Sequence, residues 1–403
     1  MTSRPGFHQS VLPTMVAWDP AMTAYNFGPS HPMAPERLEL TARLADALGL
    51  FDLEYVSVQA PEVATDVELA AVHTAAYIAA VRRVSEDPTA SDPARGLGTE
   101  DDPAFAGMHE ASARLAGGSL LAAESLLTGA AVRAVNFGGG LHHASRDRAS
   151  GFCIYNDAAL AIQRLLDGGV RKVAYVDVDA HHGDGTQSIF WNDPRVLTIS
   201  LHESGLSLFP GTGFANEIGG PDALGSAVNV ALPAWTGDAG WLRAFHAVVP
   251  HLVGAFEPEV IVSQHGCDSH KDDPLTHLNL SVDGQREAAI AVAGLAARYC
   301  ENRWIATGGG GYDITGVVPR AWSHLIGIVA GHPVQLATPV PERFRTYVKE
   351  KYGERSPELM GDGADTWWRS WEVGYDPADA VDRTIIATRK EVFPLHGLDP
   401  WFD

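Results

Sequence analysis

Cysteine is scarce in this chain. Only three occur in 403 residues, Cys153, Cys267 and Cys300. Their odd number and wide spacing exclude a disulfide framework and a zinc-ribbon module. Positive charge is short as well: 29 Lys and Arg stand against 50 Asp and Glu, a formal net charge of −21. Such a surface repels phosphate, which argues against nucleic acid and anionic membranes as partners. There is no run of about 18 apolar residues to span a bilayer. The opening stretch MTSRPGFHQSVLPTMVAWDP is broken by prolines and lacks the apolar core of a signal peptide. Low-complexity linkers and internal repeats are absent too. These absences predict a cytoplasmic protein with one domain over residues 1–403. Residues 1–14 read as an N-terminal extension. Residues 340–403, where Trp367, Trp368, Trp371 and Trp401 crowd, read as a segment packed on the body.

What is present is a chain able to bury a large core, 45% apolar and 20% charged. Short runs rich in Val and Ile read as strands at 131–137, 172–178, 195–201, 227–232, 259–265 and 303–309. Amphipathic stretches such as PERLELTARLADAL, NDAALAIQRLLDGG and DGQREAAIAVAGLAARY alternate with them. Several strands are apolar at nearly every position, as strands covered on both faces are. The alternation predicts an α/β fold, a mostly parallel central sheet flanked by helices.

Ligands of such sheets bind beyond the carboxyl ends of the strands, and polar residues gather there. The strand at 172–178 runs into Asp177, Asp179, His181, His182 and Asp184; the strand at 259–265 runs into Asp268. The strand at 303–309 ends in four glycines and Tyr312, and that at 131–137 in GGGLHH, with His142 and His143 side by side. Asp177 and Asp179 share one strand face. Asp179 and His181, joined by the distant Asp268, form a three-ligand set for a divalent metal with an open fourth position. Burying two acids unpaired would be costly, which favours that reading over a loop of turn residues. The GGGGY loop lacks both the dinucleotide-binding glycine spacing and a phosphate-binding lysine. Its glycines let backbone pass close to a metal or substrate instead.

With these motifs in hand, the sequence resembles the arginase/deacetylase superfamily. It is most similar to zinc-dependent lysine deacetylases of the class I histone deacetylase type, in the form found in bacterial acetoin-utilisation deacetylases. The resemblance is carried by HPMAPERLELT (31–41), GGGLHHASRDRASGFCIYND (138–157), DVDAHHGDGTQ (177–187), SLHESGLSLFPGTG (200–213), HGCDSHKDDPL (265–275) and GGGGYD (308–313). It implies that Asp179, His181 and Asp268 bind zinc, with iron(II) as the alternative. His142 and His143 would sit over the metal-bound water, backed by Asp177 and Asp184 respectively. Tyr312 would hydrogen-bond the substrate carbonyl. Phe152 and Phe209 would line a narrow tunnel, Gly151 would offer its carbonyl to the substrate amide, Leu275 would lie at the mouth, and Arg37 on an inner channel for acetate. Asp101, flanked by Glu100 and Asp102, matches a rim acid that grips substrate backbone. A potassium site would use Asp177, Asp179, His181, Ser200 and Leu201, and a second would lie near Phe190, Asp193, Val196 and Ser226. Cys267, and Ser269, His270 and Lys271 where the family has small residues, depart from the pattern.

The implied activity is hydrolysis of the acetyl amide of acetyl-lysine in proteins, releasing acetate. A carboxylate partner fixes each histidine's tautomer and raises its basicity. His143 then serves as general base and acid, His142 as a protonated electrostatic group, and Tyr312 as the second oxyanion contact. Acetylated protein substrates, an acetyl-CoA synthetase by analogy, are the implied partners. An acetylpolyamine substrate, arginase-type ureohydrolysis, and an inactive acetyl-lysine-binding module stand as alternatives.

Overall fold

The structure is a computed structural model describing residues 12–403. Its centre is one eight-stranded sheet in the order β2-β1-β3-β8-β7-β4-β5-β6, every pairing parallel. The strands are β1 (Thr14–Ala17), β2 (Val56–Gln59), β3 (Arg133–Asn136), β4 (Val173–Asp177), β5 (Val196–Glu203), β6 (Ala227–Leu232), β7 (Val260–Gln264) and β8 (Trp304–Thr307). All but β2 and one position of β6 are buried throughout, as a parallel sheet covered on both faces requires.

The flanking helices are α1 (Glu36–Ala47), α2 (Asp66–Leu69), α3 (Ala75–Glu86), α4 (Met108–Thr128), α5 (Asp157–Asp167), α6 (Asp184–Ile189), α7 (Asp238–Phe256), α8 (Val282–Tyr299), α9 (Val318–Val329), α10 (Glu342–Tyr352) and α11 (Ala380–Val392). Where they begin follows from local chemistry. The side chains of Asn156 and Ser281 accept backbone N–H groups at the starts of α5 and α8, satisfying donors the helix leaves free. No helix among the described residues is long and apolar enough to cross a membrane.

Strands β1 and β2 are not among the strands expected from the sequence. Each has four residues, too few to show a period, and β2 lies at the sheet edge partly in solvent. Of the expected extension 1–14, residues 1–11 lie outside the described residues, and Thr14 opens β1. In the Trp-rich segment, Trp371 is buried and flanked by the guanidinium groups of Arg243 and Arg389. Trp368 stacks on His246 and Trp401 packs on Tyr375, while Trp367 remains exposed. All three cysteines are buried and unpaired.

Candidate active site

Strand register builds the floor of the site. Asn136 of β3 pairs with Thr307 of β8, Thr307 with Gln264 of β7, Gln264 with Asp177 of β4, and Asp177 with Ser200 of β5. One polar row thus crosses five strands, at the carboxyl ends of four of them and within β5 at Ser200, and all five residues are buried. Everything with chemistry hangs from that row.

Beyond β4, Asp179 and His181 turn toward Asp268 from the loop after β7. Single donor atoms of the three lie within 4.8 Å of one another, all buried. His181 Nδ1 stands 3.1 Å from Asp179 Oδ1 and 2.9 Å from Asp268 Oδ2. One imidazole proton cannot satisfy both carboxylates, so the cluster holds excess negative charge that a cation would offset. Burial and the facing Asp179 carboxylate push Asp268 up to about 6. The adjoining backbone must be glycine: a Cβ at Gly266 or Gly310 would collide with the Asp179 or Asp268 carboxylate. The Gly310 N–H and the Gln264 amide donate to Asp179 Oδ2, at 2.8 and 2.7 Å, and the Ala180 N–H donates to Asp268 Oδ1. Two carboxylates and one imidazole, aimed and braced, fit a divalent metal.

The two adjacent histidines lie alongside. His142 Nδ1 is 2.7 Å from Asp177 Oδ2, and His143 Nδ1 is 2.7 Å from Asp184 Oδ1. Their Nε2 atoms approach to 3.1 Å. Burial opposes charge on His142, but Asp177 and Asp179 outweigh it and raise its pKa to about 9. Burial, then the charge on His142, holds His143 below the ordinary histidine value. The same burial thus acts on two imidazoles in different electrostatic settings, one drawn toward its charged form by carboxylates and the other held from it by its neighbour. The turn that carries them is pinned by Asp157, which accepts the N–H groups of Gly140 and Leu141 and the hydroxyl of Ser119.

Tyr312 follows the β8 glycine loop and lines the same narrow cavity as His142, His143, Asp179 and His181. Burial and then Asp268 raise its phenol, so it stays protonated and able to donate. Phe152 packs edge-on against Tyr312 with ring centroids 5.8 Å apart, and Phe209 edge-on over His143 at 5.0 Å. The two phenylalanines thus flank the cavity from the Tyr312 side and the His143 side. Gly151 and Cys153 line it at the Phe152 loop.

Arg37 is buried, donates to the carbonyls of Gly309 and Gly311, and lies over the Tyr312 and Trp322 rings. Its guanidinium braces the glycine loop. Asp101 Oδ2 accepts the Gly151 N–H at 2.6 Å. Leu275 is held by its N–H on Asp273 Oδ1. The Ser200 hydroxyl is 2.8 Å from His202 Nδ1, and Leu201 is buried beside it in β5. Near the second candidate potassium position, the Asp193 carboxylate is paired with Arg195. Phe190 and Ser226 are buried, and Val196 opens β5.

Sequence reasoning missed four supports: Gln264, Asn156, Asp157 and Asp273. Asn156 holds the carbonyls of His142 and Ala144. Asp273 accepts the Tyr312 N–H at 2.8 Å as well as that of Leu275. Nothing local distinguishes Asp273 from its neighbour Asp272; only the packing does.

A model of the histone deacetylase domain matches residues 31–329. The acetoin utilization protein AcuC of Bacillus subtilis (strain 168) is 41% identical over 383 residues, covering 93% of this chain and 97% of its own length. That of Staphylococcus aureus (strain MSSA476) is 41% identical over 393 residues, covering 97% of each. The crystal structure of a histone deacetylase homolog from Aquifex aeolicus superposes with a TM-score of 0.79 at 29% identity, covering 93% of this chain and 99% of that one.

Proposed function

Because the chain belongs to the histone deacetylase family and is a deacetylase of that type, we propose that it removes acetyl groups from the lysine side chains of proteins. The observation that carries this reading is the pairing of a buried Asp179–His181–Asp268 cluster with two adjacent histidines, each backed by its own carboxylate, in one narrow cavity.

Asp179, His181 and Asp268 would hold a divalent cation, zinc with iron(II) as the alternative. When bound, it supplies a Lewis acid for the carbonyl and a water of lowered pKa. His143, neutral and oriented by Asp184, takes the proton of the attacking water and returns it to the departing amine. His142, kept cationic by Asp177, contributes a fixed positive charge beside the developing oxyanion. The Tyr312 hydroxyl donates to that oxyanion. Phe152 and Phe209 enclose the flat aliphatic stem, Gly151 receives the amide N–H through its carbonyl, and Leu275 and Asp101 meet the polypeptide at the mouth. Asp177, Asp179, His181, Ser200 and Leu201 would surround a potassium ion behind the floor. We place the protein in the cytoplasm, where its unpaired cysteines stay reduced.

The test compares turnover of an acetyl-lysine peptide and of acetylputrescine, with and without chelator. The reading expects the peptide to be preferred and chelation to abolish activity. A tenfold or so preference for acetylputrescine would overturn the protein substrate while sparing the hydrolytic chemistry.

A further inference from the structure

Five non-glycine residues among those described have a left-handed backbone: Phe152, Trp235, Glu257, Glu301 and Asn302. Three need no special account. Glu257 ends α7, and Glu301 and Asn302 follow α8, where chains commonly turn left-handed. The other two are aromatics in loops, with φ of 66° for Phe152 and 68° for Trp235. A bulky side chain in this region costs free energy, and such strain persists where the surroundings impose it, often at ligand-binding positions. Phe152 lies against Tyr312 in the candidate tunnel. Trp235 has no comparable role in the core, because 71% of its surface is exposed.

Its neighbours place Trp235 at the rim. It follows β6 by three residues, on the same carboxyl edge of the sheet as the site. Its N–H donates to the His277 carbonyl at 2.7 Å, and its ring lies 5.5 Å from the His277 ring. His277 is two residues past Leu275, and Thr276 between them donates to the carbonyl of Asp268. The buried Glu203 carboxylate fastens this segment. It accepts the His277 N–H at 2.8 Å, lies 3.0 Å from His277 Nδ1, and accepts the Ser207 hydroxyl at 2.8 Å. Ser207 belongs to the loop that carries Phe209. One acid thus ties both sides of the mouth together, with the indole held beside them. Leu206, 87% exposed, lines a shared cleft with Pro233 and Ala234 next to Trp235.

We propose that Trp235 is a specificity-determining residue, the surface on which a substrate polypeptide lays an apolar side chain adjacent to its acetyl-lysine. This rests on the protein-substrate reading above and narrows it to sequences with an apolar flank. An uncharged indole, rigidly presented in a strongly acidic protein, suits such a side chain at little entropic cost. An acetylpolyamine has no apolar side chain to lay there.

The experiment measures kcat and KM for two acetyl-lysine peptides, one flanked by Leu and one by Gly, and for acetylputrescine. The proteins are wild type, Trp235→Gly and Trp235→Asn, the two replacements that tolerate the left-handed backbone. Wild type should favour the Leu peptide by about fivefold or more, through KM. Both variants should lose that preference, with Gly-peptide and acetylputrescine kinetics within about twofold of wild type. Their Tm should be unchanged or higher, which a residue kept for stability would not show. Retention of the preference in both variants, or equal slowing of all three substrates, would overturn the proposal. A wild type that turns over only acetylputrescine would refute the protein-substrate reading instead.

Discussion

The floor and the rim of this site are built on opposite rules. On the floor, Asp157, Asp177, Asp179 and Asp268 are buried, and each has at least two polar partners. Behind the rim, Asp102 is equally buried, yet neither of its carboxylate oxygens has a hydrogen-bond partner among the described residues. Around the mouth stand partly exposed rings, Phe209 and Trp235, on loops fastened from below through Glu203, which holds Ser207 and the His277 segment to which the Trp235 N–H donates. In the proposed function the difference separates chemistry from selection. Reacting groups need fixed charge and orientation, which only dense, dry hydrogen bonding supplies. Groups that meet varied substrates need open area, which costs little in polar satisfaction.

The sharpest way to break this division is at the floor. Asp179→Ala or Asp268→Ala leaves too few donors, so metal content by elemental analysis and activity should both vanish. Stoichiometric metal after dialysis in both variants would remove the three-residue assignment. Next in size, Tyr312→Phe deletes one oxyanion donor without touching the cluster. It should lower kcat by roughly 10²–10³-fold with metal content unchanged, and a loss of less than about threefold would deny the hydroxyl that role. His143→Ala should harm kcat more than His142→Ala, since it removes the proton carrier. If His142→Ala proved the worse with both variants folded, the roles would be exchanged.

The rim should respond more gently. Asp101→Asn weakens a charge-assisted contact at the mouth and should cost a peptide about 1–3 kcal/mol in kcat/KM, with acetylputrescine affected mainly through a salt-sensitive KM. The smallest effect concerns stability. Burial, then the adjacent Asp101 carboxylate, pushes Asp102 up to about 9. An acid whose folded pKa is raised favours the folded state only below its unfolded pKa of about 4, and this advantage is lost as pH rises toward 9. Asp102→Asn should therefore stabilise the protein by about 1–3 kcal/mol at pH 8 and hardly at all at pH 4. Melting curves at the two pH values decide it; equal shifts at both would mean that ionisation at Asp102 is not the cause.

Residues of the floor are legible in the sequence because the side chains able to hold a metal or move a proton come from few residue types. His142 and His143 are adjacent in the chain, and Asp179 and His181 stand two residues apart. The rim is less legible. Glu203 and Asp273 look like ordinary loop acids, and Trp235 like one of ten tryptophans. Their significance lies in a hydrogen bond or a backbone angle that no local pattern encodes. Strands β1 and β2 escape for the related reason that four residues show no period.

By itself the sequence determined an α/β chain with a parallel sheet, and the kinds of residue delivered to its carboxyl edge. Alternating apolar runs and helical stripes force that arrangement, and its loops must emerge where the polar motifs stand. Only the tertiary structure decided the register that aligns Asn136, Thr307, Gln264, Asp177 and Ser200 in one row. It also decided the distinct environments of His142 and His143, and the fastening of both sides of the mouth on Glu203. Register, burial and charge coupling arise between residues far apart in the chain, so they exist only once the strands have paired.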